Sequence, residues 1–484
     1  MKFTLAWLRT HLDTDAPLPR ITDTLSTIGL EVESVENKAA ALAPFRIALV
    51  IEAVQHPNAD RLRVCTVDTG GATATVVCGA PNARTGMKAV FAAPGTHIPG
   101  TDMLLKVGEI RGVQSAGMLL SAREMGLGDD HSGIVDLPED APVGAVYAQW
   151  AGLDDPLIEI SVTPNRGDAL SVRGVARDLA AAGIGELRRW HADPVPATCR
   201  SPLRWQIDWP EACPWVLGRY FRKLRNGPSP KWLADRLTAI GLRPINALVD
   251  VTNFFTVDLG RPLHVFDAGK LAGERLIMRP GNGERFRALD RRDYVLTPED
   301  LAIVDAAGVQ SLAGVMGGEA SGCDADTTAM FLECALFDPV RVAVTGRRHQ
   351  IASDARQRFE RGIDPALMPA AVEAATRMIL DLCGGEASEV VAAGTEPHWQ
   401  RQARLRYDRL EHLGGARIAP DAAVRTLERL GFTVSARDSR QVTVDVPSWR
   451  NDIASAGNLD MAPDLPPEQQ AAARDGAAAI APEA

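Results

Sequence analysis

The chain has 484 residues, 46% hydrophobic and 24% charged, which excludes a collagen, a wholly disordered chain and a small scaffold, and leaves length for roughly three or four domains. A formal charge of −10 argues against a general nucleic-acid coat while leaving local basic faces open, and no apolar run nears the ~18–20 residues that cross a bilayer. The seven cysteines are scattered without a Cys-x-x-Cys, and the start, from Met1 to Asp15, lacks a signal peptide's apolar core, so reduced thiols in a cytoplasmic chain with no membrane partner are expected.

From Lys2 to about Val35, Leu5, Trp7, Leu8, Ile21, Leu25, Ile28 and Leu30 fall at broadly helical spacings, with Asp15 as a helix cap ahead of Pro17. From Phe45 to Val146 short alternating strands such as Leu62-Arg-Val-Cys-Thr-Val, Ala74-Thr-Val-Val-Cys and Met87-Lys-Ala-Val-Phe are separated by Gly, Pro and Asn turns, which suits a small closed barrel. A helical pattern returns over 169–188, so the barrel reads as an insertion into one layer. A Pro-rich connection from Asp193 to Pro202 leads into a mixed α/β block from about Trp205 to Glu396. Beyond Arg401 a helix from Asp421 to Leu430, a turn at Gly431 and a strand from Val442 to Val446 resemble a helix-and-wing module, in a stretch where Arg and Lys outnumber acids. After Asp452 the texture becomes Ala, Pro and acid with no apolar period, the composition of a disordered tail.

No phosphate loop, dinucleotide fingerprint, His-Glu-x-x-His or Gly-x-Ser-x-Gly elbow occurs, which speaks against an ordinary nucleotide fold, a zinc protease or a serine hydrolase. The run Gly314-Val-Met-Gly-Gly-Glu lacks the lysine of a phosphate cradle and reads instead as a tight turn bringing backbone close to a neighbour or ligand. His56, Cys65 and Cys78 could be proposed as metal ligands, but their spacing fits no common site. The arginines Arg341, Arg347, Arg348, Arg356, Arg358 and Arg361 offer two readings, a solvated face or phosphate contacts. Glu333, inside Phe331-Leu-Glu-Cys-Ala-Leu-Phe, is a carboxylate in an apolar run, either a paired strand-end residue or a buried acceptor. His264 lies just after Pro262 in an expected turn.

In their order, His56-Pro-Asn-Ala-Asp-Arg-Leu, Val77-Cys-Gly-Ala-Pro-Asn and Arg111-Gly-Val-Gln-Ser-Ala-Gly-Met resemble the tRNA-binding barrel appended to several synthetases. Lys2-Phe-Thr-Leu-Ala-Trp-Leu, Ile28-Gly-Leu-Glu-Val-Glu, Thr163-Pro-Asn-Arg-Gly-Asp, Arg261-Pro-Leu-His-Val-Phe-Asp, Arg358-Phe-Glu-Arg-Gly-Ile-Asp-Pro and Val446-Pro-Ser-Trp-Arg-Asn-Asp-Ile extend the resemblance to the beta subunits of bacterial phenylalanyl-tRNA synthetases, through residue 453. The resemblance implies a multidomain α+β chain. An OB-type tRNA-binding β-barrel (39–149) would be inserted in a small α/β N-terminal domain (1–38 with 150–192). A mixed α/β editing domain (205–396), a winged-helix-like module (400–453) and a disordered tail (454–484) would follow. It implies tRNA(Phe) as a partner and hydrolysis of mischarged Tyr-tRNA here, while an alpha subunit activates phenylalanine with ATP. It places Glu333 where the tyrosine phenol is recognised and His264 where the tRNA end or attacking water is positioned. Thr252, Ala313 and Gly314 fall at further pocket positions. Arg358-Phe-Glu superficially matches an Arg-x-Glu of class II synthetase sites, but the resemblance assigns it to the editing block.

The resemblance also implies a magnesium cluster beginning at Asp452, yet the downstream positions read Asn458, Met461 and Ala462, which are poor or impossible ligands for a cation that demands hard oxygen. The modules that follow in the family are replaced by an Ala-rich end, so a truncated, frameshifted or fragmentary chain with impaired assembly into the heterotetramer is expected. The rival reading is a non-catalytic tRNA-binding fragment unable to join the alpha subunit.

Overall fold

A computed structural model describes residues 1–453. The tail expected over 454–484 and the positions Asn458, Met461 and Ala462 lie outside the described residues. The chain divides into two compact units: Thr4–Ala6 with Ser34–Ile158 form one, and the segments on either side form the other.

The start is mixed rather than helical, because short strands at Lys2–Thr4 and Val32–Glu36 flank its helices. Helix α1 (Leu18–Thr27) buries Ile21 and Leu25, one turn apart on a single face. Pro17, not Asp15, stands at its cap, extended at φ −68° and ψ 154°, with no side-chain cap. Proline's fixed φ starts the helix without one.

In the inserted unit, β1 (Arg46–His56), β2 (Ala59–Asp68), β3 (Thr73–Cys78), β4 (Lys88–Ala92) and β5 (Met118–Leu119) form an antiparallel five-stranded sheet ordered β5-β4-β1-β2-β3. Register shifts at Val50/Glu52 and Gln55/His56 mark bulges that bend β1. Its inward residues, among them Ile47, Val50, Cys65, Val67, Val76 and Val90, are buried.

The larger unit resumes with helix α2 (Val172–Ala181), capped by Ser171, whose side chain accepts from the Gly174 amide. Two sheets then share one apolar core. The first joins β6 (Arg204–Ile207), β9 (Arg275–Pro280), β10 (Leu301–Val304), β11 (Val309–Leu312) and β12 (Met316–Gly317) in that order, with β6 and β9 parallel. The second is antiparallel, ordered β8-β13-β7-β14, from β7 (Trp215–Arg222), β8 (His264–Asp267), β13 (Met330–Leu336) and β14 (Glu386–Gly394). Trp205, Met278 and Leu312 of the first sheet and Val216, Phe266, Phe331 and Ala335 of the second are buried in that common core. Helices α3 (Ala247–Asp258), α4 (Pro339–Arg348) and α5 (Met368–Cys383) complete the block.

The last described module has β15 (Gln402–Arg406), helix α6 (Pro420–Arg429), β16 (Thr433–Arg437) and β17 (Gln441–Asp445), with sheet order β15-β17-β16. Val424, Phe432, Val442 and Val444 make its core. Gly431, at φ +90°, closes α6 where a Cβ would lie 2.5 Å from the Trp449 ring, so both backbone and space require glycine.

Candidate active site

The alternation of β13 sends Phe331, Glu333 and Ala335 to the face shared with the other sheet and Leu332 and Cys334 to the opposite face. Glu333 is thus a mid-strand residue, 5% exposed. No hydrogen bond or ion pair reaches its carboxylate among the described residues. Burial pushes its pKa up to about 8, with the Arg261 guanidinium pulling the other way. It is therefore largely a neutral acid at pH 7.

His264 opens strand β8 directly opposite Glu333 in register, so the two side chains share a face. Its ring packs edge-on against Phe266 at 4.5 Å between centroids, and burial lowers its pKa to about 4. The imidazole is neutral at physiological pH. The turn expected around it is instead a strand start, and pairing with β13 is what extends the backbone there.

Arg261, fully buried, donates to the Ala335 carbonyl, while its Nε and Nη1 have no hydrogen-bond partner among the described residues. Gly317 backs the histidine: a Cβ there would lie 2.5 Å from His264 Cε1. The contact belongs to the glycine run read as a close-approach turn, although sequence reasoning singled out Gly314 and not Gly317.

Ala313 and Gly314 are the central residues of a turn closed by the Val315 amide on the Leu312 carbonyl at 3.0 Å. Gly314 has φ +70°, and a Cβ would meet Phe337 Cδ2 at 2.8 Å, so its absence of a side chain serves packing. Thr252 is buried on α3, and its hydroxyl donates to the Val249 carbonyl at 2.7 Å, one turn back. Glu333 and His264 are thus brought side by side. The Thr252 hydroxyl is engaged within its own helix.

Most of the arginine run is tied to protein groups. Arg348 pairs with Glu299 and Asp300, Arg356 with Glu360, and buried Arg358 with Asp354, while Arg361 donates to the Val162 carbonyl and Arg341 stacks 4.2 Å over Trp209. Arg347 is exposed. Cys65 and Cys78 lie in an apolar cluster, where burial pushes the Cys65 thiol up to about 11, and no group of three or more metal-binding side chains occurs among the described residues. Asp452 does not fit a magnesium ligand: Arg450 holds both its oxygens in a fork at 2.8 and 3.0 Å, and Asn165 donates to one at 3.4 Å. A guanidinium so placed repels a cation.

Three family models match in order along the chain: "Putative tRNA binding domain" over 45–146, "B3/4 domain" over 212–384 and "tRNA synthetase B5 domain" over 403–459. Glu333 and His264 both fall within the second. Two of the three descriptions name tRNA or its synthetases, so these segments are of the class of domains found in aminoacyl-tRNA synthetases. The chain is 57% identical over 467 residues to the "Phenylalanine--tRNA ligase beta subunit" of Gluconobacter oxydans, covering 96% of this chain and 57% of that protein. The protein of the same name from Mesorhizobium japonicum is 53% identical over 461 residues, 95% of this chain and 57% of its own length. The chain belongs to the phenylalanine--tRNA ligase beta-subunit family and spans 57% of the length of these relatives. A crystallised N-terminal fragment of the phenylalanyl-tRNA synthetase beta subunit from Pyrococcus horikoshii matches 63% of this chain and 85% of its own at 15% identity and a TM-score of 0.31, too slight a likeness to bear on the fold.

Proposed function

We propose that this chain supplies the tRNA-binding and proofreading parts of a phenylalanine--tRNA ligase, hydrolysing tyrosine wrongly esterified to tRNA(Phe), while an alpha subunit activates phenylalanine with ATP. The reading assigns tRNA contact to an OB-type barrel over 39–149, inserted between 1–38 and 150–192. It assigns hydrolysis to 205–396 and a winged-helix-like role to 400–453. It puts the work in the cytoplasm, where translation runs. The family's magnesium enters no step here, because Asp452 is committed to Arg450.

The observation that carries the proposal is the buried, unpartnered carboxyl of Glu333 beside His264. Phenylalanine and tyrosine differ by one hydroxyl, and an apolar activation pocket rejects an added hydroxyl only ~100-fold. A second site that requires the hydroxyl removes the error, and Glu333 offers it an acceptor in an otherwise apolar wall. Cys213, the nearby thiol, is no nucleophile, since burial raises its pKa far out of reach. A water oxygen therefore attacks the ester carbonyl, the bond to the tRNA ribose oxygen breaks, and that oxygen takes up the proton. Neutral His264 serves to hold the water or the tRNA end through a ring nitrogen. Ala313 and Gly314 shape the wall, and Thr252 supports it from α3.

Purified chain incubated with Tyr-tRNA(Phe) and Phe-tRNA(Phe) should deacylate the tyrosyl ester preferentially. Glu333→Ala should lower that rate by roughly 10- to 100-fold, as expected for a lost buried acceptor, with the melting temperature preserved. No deacylation by the unaltered chain would leave only the tRNA-binding fragment. Unchanged selectivity in the variant would make Glu333 structural.

A further inference from the structure

The sheet order β8-β13-β7-β14 sets His264, Glu333 and Gly218 in one row, since His264 is registered on Glu333 and Glu333 on Gly218. Cross-strand partners project to one face about 4.5–5.5 Å apart. Gly218 has no side chain, and an indole from the opposite sheet takes its place. A Cβ at 218 would lie 2.2 Å from Trp205 Nε1 and 2.6 Å from Phe331 Cζ. The Trp205 ring rests on Phe331, 5.2 Å between centroids, and Phe331 shares a face with Glu333 two residues on. The indole N–H thus occupies the position next to Glu333, on the side away from His264.

Trp205 is 6% exposed and its Nε1 has no hydrogen-bond partner among the described residues. Leaving a buried N–H unpaired is unfavourable, and packing against Phe331 needs no nitrogen at all. An orphan donor and an unpartnered carboxyl therefore stand side by side in one apolar interior. A phenol hydroxyl is the group that satisfies both, since its proton is donated and its oxygen accepts.

We infer that Trp205 donates its indole N–H to the hydroxyl oxygen of the tyrosyl side chain while Glu333 accepts that hydroxyl's proton, so that the two read the phenol together. The inference rests on the proofreading role proposed above. Glu333 accepts through its carbonyl oxygen when protonated and through either oxygen when ionised. A phenylalanyl ester leaves both groups unpaired, and a site built to bond a hydroxyl discriminates strongly against the analogue that lacks it.

Trp205→Phe keeps an aromatic ring on Phe331 and removes the donor together with the five-membered part of the indole. Kinetics of deacylation of Tyr-tRNA(Phe) and Phe-tRNA(Phe) by the full chain, with thermal unfolding alongside, test the inference. The expected result is a loss of roughly tenfold in kcat/KM for the tyrosyl ester and an unchanged rate for the phenylalanyl ester, with a lowered melting temperature but cooperative unfolding retained. An unchanged ratio of the two rates, or an equal fall in both, would overturn it. If Glu333→Ala abolishes selectivity while Trp205→Phe does not, the proofreading reading stands and the Trp205 assignment falls. If the unaltered chain hydrolyses neither ester, both fall.

Discussion

Strand β7 presents two kinds of buried polarity on its two faces. On one, Arg219 is 1% exposed and fully employed: Nε donates to the Ser388 carbonyl at 2.7 Å, Nη1 to Glu373 at 2.8 Å, and Nη2 to the Val195 carbonyl. Glu373 also accepts from the Val195 amide at 2.7 Å, so the network pins the Pro-rich connection to α5. On the other face, beside Gly218, stand Glu333, His264 and the Trp205 N–H, all buried or nearly so and none hydrogen-bonded through its side chain among the described residues. A satisfied buried network supports the framework, whereas unsatisfied polar groups persist where a ligand completes them.

The comparison breaks most severely at Arg219. Arg219→Met should strand Glu373 and two carbonyls and cost about 3–5 kcal/mol in denaturant unfolding, with the m-value kept. A cost under 1 kcal/mol would mean that the network is not structural.

Glu333→Gln sharpens the opposite side through pH. The Glu333 carboxyl has its folded pKa raised from 4.5 to about 8, so its contribution to stability is fully present below about 4.5 and is lost as pH rises through about 8. The glutamine variant does not titrate. Its stability should match the parent's near pH 4.5 and exceed it by roughly 2–3 kcal/mol near pH 8, after local relaxation is allowed for. Chemical denaturation across that range checks it, and a constant difference at all pH values would refute it.

The smallest effect is expected at Asp452, in a partly exposed ion pair with Arg450. Asp452→Asn should cost about 0.5–1 kcal/mol in thermal unfolding and leave any magnesium titration of the chain unchanged. A loss of magnesium affinity in that variant would restore the carboxylate as a ligand.

Much of the local structure was legible. Pro420 marks the start of α6, and the apolar run around Glu333 shows one carboxylate out of place. Where the signal was short or polar it failed. The strand Lys2–Thr4 has only three residues, and β16 turns mostly exposed side chains outward, so neither carries an apolar period. The arginine run defeated composition for another reason: pairing partners such as Asp300 and the Val162 carbonyl are far away in sequence.

By itself the sequence determined the family, the order of its parts and the residue types at the site, because motifs and periodicity are local. It left Glu333 as either a paired strand-end residue or a buried acceptor, and read the glycine run from Gly314 as a close approach. Only the tertiary structure decided that His264 is registered on Glu333, that Gly317 rather than Gly314 touches the imidazole, and that Trp205 enters the space left by Gly218. Strand register and sheet-to-sheet packing are set by the fit of distant side chains, and no spacing along the chain encodes them.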